Sequence, residues 1–171
     1  MHSDGMEPSR ILLSRALHAA LAILLLTAVH HAYGAYAYDT PWRLHVVIVA
    51  GLTALLLWGA AHVLRRRPAG LARTVALVAF CLVDLLLPVV GIGFFEGGYN
   101  HVLKNALYFG GTSPQLMARL FPPPVYELPG DWLFEITGVL QLVLGVVAAC
   151  RLYRLAQHGW HARAHTRAGS A

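Results

Sequence analysis

Charge is the scarcest property of this 171-residue chain: Asp, Glu, Lys and Arg make up 12% of it, about half the share in an ordinary soluble domain. So few charges cannot cover a water-facing surface, which excludes a freely soluble enzyme or binding module. Cysteine is nearly absent. Cys81 lies inside one apolar run and Cys150 near the basic end of another, with no C-x-x-C spacing; a disulfide scaffold and a sulfur-rich metal site are both excluded. The chain also lacks G-x-S-x-G, a P-loop, G-x-G-x-x-G and C-x-x-C-H, which removes soluble-type nucleotide chemistry and covalent haem. It shows no internal repeat. The formal net charge of +5 does not indicate nucleic acid, because the arginines stand in clumps between apolar runs rather than along one face.

What the chain has instead is hydrocarbon: 57% hydrophobic residues and a mean hydropathy of +0.58. Four apolar segments stand out, at about 11–35, 44–64, 71–95 and 132–153. Each is long enough, at about 1.5 Å per residue, to cross a bilayer core as a helix. The expected fold is an all-α integral membrane protein, a single domain over residues 1–171. Its four-transmembrane-helix bundle carries an additional amphipathic helical segment on the outer side. A Pro-rich loop completes residues 96–131, and a basic cytoplasmic tail follows at 154–171.

Arginine placement sets the direction. Arg10 and Arg15 stand at the start of the first span, Arg65, Arg66, Arg67 and Arg73 between the second and third, and Arg151, Arg154, Arg163 and Arg167 after the fourth. By the positive-inside rule both termini face the cytoplasm, and the chain belongs in the cytoplasmic membrane. A secretory signal is the competing reading of the first span, since basic residues and an apolar core precede the small-x-small triplet Ala35-Tyr36-Ala37. His30, His31 and Tyr33 would make a polar, bulky approach to such a cleavage point.

The stretch EGGYNHVLKNALYFGG after the third span is the chain's most polar apolar-flanked segment. At about 100° per residue, Glu96, Gly97, Asn100, His101, Lys104, Asn105 and Tyr108 fall on one half of a helix. The segment continues the third span outward or folds back as an interfacial helix. A water-facing surface helix is the commonest meaning of such a pattern. The residue types argue for more: a carboxylate, an imidazole, amides, an amine and a phenol can together donate, accept and exchange protons.

His30 and His31 end the first span on the same side, and Glu135 lies in the first turns of the fourth. Glu96, His101 and Glu135 are therefore candidate acid–base groups, with Asn100, Lys104 and Tyr108 as substrate-binding groups. His30, His31, His101 and Glu96 form a candidate ligand set for zinc, copper or iron, since such metals accept nitrogen and oxygen ligands from facing helices of a bundle. The bland alternatives are anchoring of helix ends by imidazoles and, for Glu135, complementing of the helix dipole. His45 is read as such an anchor, and His18, His62 and the histidines of HGWHARAHTR (158–167) as solvated or headgroup contacts.

Asp84, within VAFCLVDLLLPVVG, is a candidate catalytic or proton-accepting group, because an ionisable residue within a span costs about 2.5–3.5 kcal/mol. Its structural alternative is a protonated carboxyl bonded to Gln141 or Thr137. Four spans with an acidic and histidine cluster resemble, in outline, small bacterial DoxX-like membrane proteins and the four-helix sterol-isomerase-like group. The phrase FFEGGYNH is similar to the Glu-Gly element of the latter, over well under a tenth of the chain. No residue role follows from it.

The functional expectation is a membrane-embedded enzyme, an oxidoreductase or isomerase, acting on a lipophilic small molecule by acid–base or metal-assisted redox chemistry. The bilayer is its first partner. A proton or solute transport component is the alternative; with four spans it would require a homo-oligomer. A non-catalytic membrane partner subunit is the third reading.

Overall fold

A computed structural model describes residues 6–168, with side chains described for 9–158. The described residues are all-helical, without strands. Five helices carry the chain: α1 (Met6–Ala37), α2 (Leu44–Arg66), α3 (Leu71–Phe109), α4 (Pro114–Leu120) and α5 (Trp132–Ala168). Four of them are long and apolar enough to cross a membrane, over Ser9–Ala37, Pro41–Arg66, Leu71–Phe109 and Trp132–His158. Each includes the corresponding apolar run of the sequence, and the third absorbs the amphipathic segment instead of ending before it.

The bundle is apolar outside and partly polar inside. Leu25, Ile48, Leu52, Val90, Phe94 and Val143 are exposed, whereas Thr27, His30, Asp84, His101, Lys104 and Gln141 keep 2% or less of their surface. Such a distribution exposes an aggregation-prone surface to water but suits hydrocarbon, where buried polar groups must find partners within the bundle. Helix α1 packs on α2 and α5, α2 on the first part of α3, and α5 on the outer part of α3. Leu17, Leu57, Phe80, Ala148 and Leu152 join one apolar core toward one end. The polar side chains gather toward the other.

Helix α3 is not α-helical throughout. Leu71–Asp84 is α-helical, Leu85–Leu103 is π-helical and Lys104–Phe109 returns to α. Pro88 lies near the start of the π-helical stretch: it has no N–H to donate, and its ring crowds the carbonyl four residues back, that of Asp84. A wider i→i+5 ladder eases the crowding, although Pro88 still donates no bond to it. The wider helix turns through fewer degrees per residue, so Pro88, Gly93, Gly97 and His101, four to five residues apart and all buried, line one face. That face meets α5 at very short range. A Cβ on Gly93 would stand 2.6 Å from Gly145 Cα, and one on Gly97 would overlap the backbone of Leu142. Small residues at an interhelical contact let backbones approach this closely.

The α5 N-terminus is capped as its sequence predicts. Asp131 Oδ1 accepts the N–H groups of Leu133 (2.9 Å) and Phe134 (3.1 Å), which satisfies two donors of the first turn. The Tyr33 phenol donates to Asp131 Oδ2 at 2.5 Å and ties the end of α1 to the start of α5. With Gly34 beneath the Phe134 ring and His30 beside Thr137, this contact fixes an antiparallel α1–α5 register.

A candidate metal centre inside the bundle

The polar face of residues 96–104 points into the bundle, where it meets groups from α1 and α5. Asn100, His101 and Lys104 are buried, as are His30 and His31 of α1 and Glu135 of α5. The hydrogen bonds give each group a definite role. Glu135 Oε1 accepts from Lys104 Nζ at 2.9 Å and its Oε2 lies 2.8 Å from His101 Nδ1. A carboxylate paired with an ammonium only accepts, so His101 carries a ring proton on Nδ1 and, in its neutral form, presents the lone pair of Nε2.

His30 is oriented by the same logic. The Thr137 hydroxyl has one proton and two carbonyl acceptors within reach, Leu133 O at 2.8 Å and Phe134 O at 3.0 Å. With that proton on either carbonyl, the hydroxyl oxygen accepts from His30 Nδ1, 2.9 Å away. In that arrangement His30 is protonated on Nδ1, and its Nε2, which makes no hydrogen bond to any described group, is a bare lone pair. Phe134 stacks on the His30 ring at 4.1 Å and holds its plane.

Glu96 completes the arrangement. Its Oε2 accepts from Asn100 Nδ2 at 2.6 Å. Its Oε1 faces His30 Nε2 at 3.8 Å, His101 Nε2 at 3.7 Å and His31 Nε2 at 3.6 Å, all beyond hydrogen-bonding distance. The ligand atoms of His30, Glu96 and His101 lie within 4.8 Å of one another. With both imidazoles neutral, three acceptors facing each other in a buried space repel unless a cation or a shared proton lies between them. Metal–ligand bonds of about 2.0–2.2 Å in a tetrahedron bring ligand atoms to about 3.4 Å, so the set, with separations of 3.7 and 3.8 Å from Glu96 to the two imidazoles, would draw in slightly on an ion. Thr137 and the Glu135–Lys104 pair would act as the outer groups that fix tautomer and ring orientation in metal sites.

The surroundings close over this centre. Lys104, the chain's one lysine, also donates to the carbonyl of Glu127 at 2.6 Å. Arg43, 4% exposed, reaches the Glu127 carboxylate at 3.4 Å and bonds Thr40 Oγ1 at 2.8 Å. Its guanidinium lies 5.0–5.7 Å from the rings of Trp42, Phe134 and Tyr38. The Pro-rich segment is thereby pinned across the polar end from two sides. Burial and the nearby carboxylates push the Tyr38 phenol up to about 12, so it stays neutral. The Tyr33 phenol and the Phe134 and Leu133 N–H groups hold the Asp131 carboxyl below its ordinary range.

Of the residues singled out in the sequence, Glu96, His101, Glu135, Asn100, Lys104, His30 and His31 come together. Two do not join them. Tyr108 is 39% exposed with its ring edge-on to Phe109. Asp84 is fully buried, but neither of its carboxylate oxygens bonds a described group, Thr137 and Gln141 included. His45, exposed, contacts Trp42; His18 and His62 are exposed too. The side chains of His161 and His165 lie outside the described residues. Sequence reasoning missed Arg43 as a site residue, the role of Phe134, and Gly138. A Cβ at Gly138 would fall within the His101 ring, so the bare backbone there makes the seat for that imidazole. Its one sequence signal is its place one turn after Glu135.

No family model matches the chain, and neither does any curated protein or solved structure. The similarity of FFEGGYNH to the sterol-isomerase-like group thus has no counterpart over the chain as a whole.

Proposed function

We propose that this is a multi-pass protein of the cytoplasmic membrane, with both termini cytoplasmic, that binds a transition metal through His30, Glu96 and His101 and acts enzymatically on a lipophilic small molecule. The observation that carries the reading is the convergence of three lone pairs whose neighbouring polar atoms are already committed. Two imidazoles and one carboxylate suit catalytic zinc or non-haem iron(II), both of which keep positions open for a reactant. Bound there, such a metal supplies Lewis acidity or electron exchange. The protein's own groups do the rest. Glu135 and Thr137 set the two imidazoles, Asn100 turns the Glu96 carboxylate, and Arg43 and Lys104 hold the covering loop in place.

A lipophilic substrate follows from access. The Glu96 side chain keeps 18% of its surface, and its helix neighbours Phe94 and Phe95 are exposed on the apolar side of the bundle. His31, the third imidazole facing Glu96, stands at the edge of the ligand set, where it can complete the coordination or meet the reactant. The orientation is supported by Arg10, Arg65 and Arg66, which line one cavity of about 270 Å³ where the start of α1 meets the end of α2. That groups the basic residues at one end, as the positive-inside rule requires.

Asp84 favours a second reading. A fully buried carboxyl without a hydrogen-bonding neighbour among the described residues suits a station on a proton or solute route through an oligomer.

Elemental analysis and solvent extraction of detergent-purified protein test the first reading, with wild type compared with Glu96→Gln and His101→Ala. One zinc, copper or iron per chain is expected in the wild type and loss of it in both variants. A wild type with neither metal nor bound lipophile, together with full cellular function of both variants, would refute the reading.

A further inference from the structure

One turn deeper than the metal ligands, the α1–α5 interface holds polar atoms for which the centre has no use. The register that pairs His30 with Thr137 and Gly34 with Phe134, continued by one helical turn, brings Thr27 and Gln141 to the same level of the two helices. On α3, Gly97 packs its backbone directly against the Gln141–Leu142 peptide, closing the third side one turn below His101. Thr27 and Gln141 are both 0% exposed. Neither Thr27 Oγ1 nor Gln141 Oε1 or Nε2 bonds to a described protein group.

Thr27 is the more telling of the two. A buried helical threonine ordinarily donates to the carbonyl four residues back. Thr53 does so to Val49 O at 2.7 Å, and Thr137 to Leu133 O at 2.8 Å. Thr27 Oγ1 makes no such bond, which leaves its proton available to another acceptor. A hydroxyl and an amide together offer two kinds of donor and two acceptor oxygens. Leaving all of them unmet costs on the order of 1–3 kcal/mol per group. An apolar pair of the same size would pack there without that cost.

We propose that Thr27 and Gln141 form a binding subsite for one neutral oxygen, able to accept from the amide and to exchange hydrogen bonds with the hydroxyl, immediately beneath the metal centre. Its occupant is either an internal water or the hydroxyl or carbonyl oxygen of the lipophilic substrate. Both present the same chemistry to this pair, and buried waters normally make about three such bonds. The subsite is independent of metal binding, since neither residue touches a proposed ligand atom.

The test is a double-mutant cycle on the full chain in detergent, with Thr27→Val, Gln141→Met and the double variant read by thermal unfolding, and with metal content measured alongside. Each single change keeps volume but strands a partner of the bound oxygen, so each should lower Tm by a few degrees. The double variant should lose less than the two combined. Thr27→Ser, which keeps the hydroxyl, should show the wild-type coupling to Gln141→Met. Coupling that persists after exhaustive delipidation identifies water. Coupling that returns only when membrane lipid extract is added identifies a lipophile's oxygen. If both single variants raise Tm and their effects add, the polar atoms have no shared occupant and the proposal is overturned. Loss of metal binding in wild type with the coupling intact would remove the metal reading and leave this subsite standing.

Discussion

Substituting Gly138 by alanine separates the metal centre from the stability of the bundle. Alanine is favoured over glycine in a helix interior by about 1 kcal/mol, so α5 itself gains. The added methyl, however, would sit among the His101 ring atoms Cγ, Cδ2 and Nδ1. To restore ordinary contact the imidazole must withdraw by about 1 Å, since backbone on one side and the packed α3 helix on the other give little room. That movement stretches the 2.8 Å bond from Nδ1 to Glu135 beyond hydrogen-bonding range. It also displaces Nε2 several times further than the about 0.2 Å that metal–ligand distances tolerate. Loss of one ligand together with its orienting group should weaken metal binding at least about 100-fold, or about 2.7 kcal/mol. Competition titration with zinc or cobalt(II) against a chromophoric chelator measures this, with far-UV circular dichroism to show that the helices persist. Gly51→Ala is the control, because nothing lies within 4 Å of a Cβ there; it should leave binding unchanged. Binding by Gly138→Ala within about threefold of wild type, at full helicity, would sink the claim that this backbone seat positions His101 for a metal.

Two further outcomes follow from the same geometry. Glu135→Gln keeps the shape of the side chain but can present its amide N–H₂ to His101 Nδ1, and it leaves the Lys104 ammonium without a counter-charge; a 10–100-fold loss of metal affinity in the same titration is expected, and unchanged affinity would show that Glu135 does not orient the ligand. At the helix start, the Asp131 carboxyl is held below its ordinary value by Tyr33 and by the Phe134 and Leu133 N–H groups, so its contribution is fully present above the unfolded pKa of about 3.9 and is lost as pH falls through the lower folded value. The Tm difference between wild type and Asp131→Asn should accordingly stay constant from pH 8 to about 5 and shrink below about pH 4; a difference that changes between pH 5 and 8 would assign the effect to another group.

The four long apolar helices are legible because apolar length is a one-dimensional property: a run of about 20 residues reads the same in the sequence and in the helix. The site was legible for a related reason. In an up-and-down bundle, chain direction alone decides which helix ends share a side, and His30, His31, Glu96, His101 and Glu135 all lie at ends of the same parity. The wheel failed where it assumed a constant turn. With a π-helical stretch over Leu85–Leu103, the inward line runs through Gly93, Gly97 and His101, and Tyr108 ends exposed beside Phe109. Neither Arg43 nor Gly138 could be recognised from its own neighbourhood. Arg43 looks like a loop cation until Tyr38 and Trp42 from the α1–α2 connection, Phe134 from α5 and Glu127 from the covering loop surround it. Gly138 looks like a tolerated helix glycine until an imidazole from another helix occupies its missing side chain. The tautomers were equally out of reach, since they depend on where the one proton of Thr137 goes. Sequence pattern can thus bring the right residue types to one end of a bundle. Which nitrogen of each histidine is left bare, and hence whether the cluster suits a proton network or a metal, depends on Thr137, Glu135 and Lys104, which touch the candidate ligands rather than the space between them.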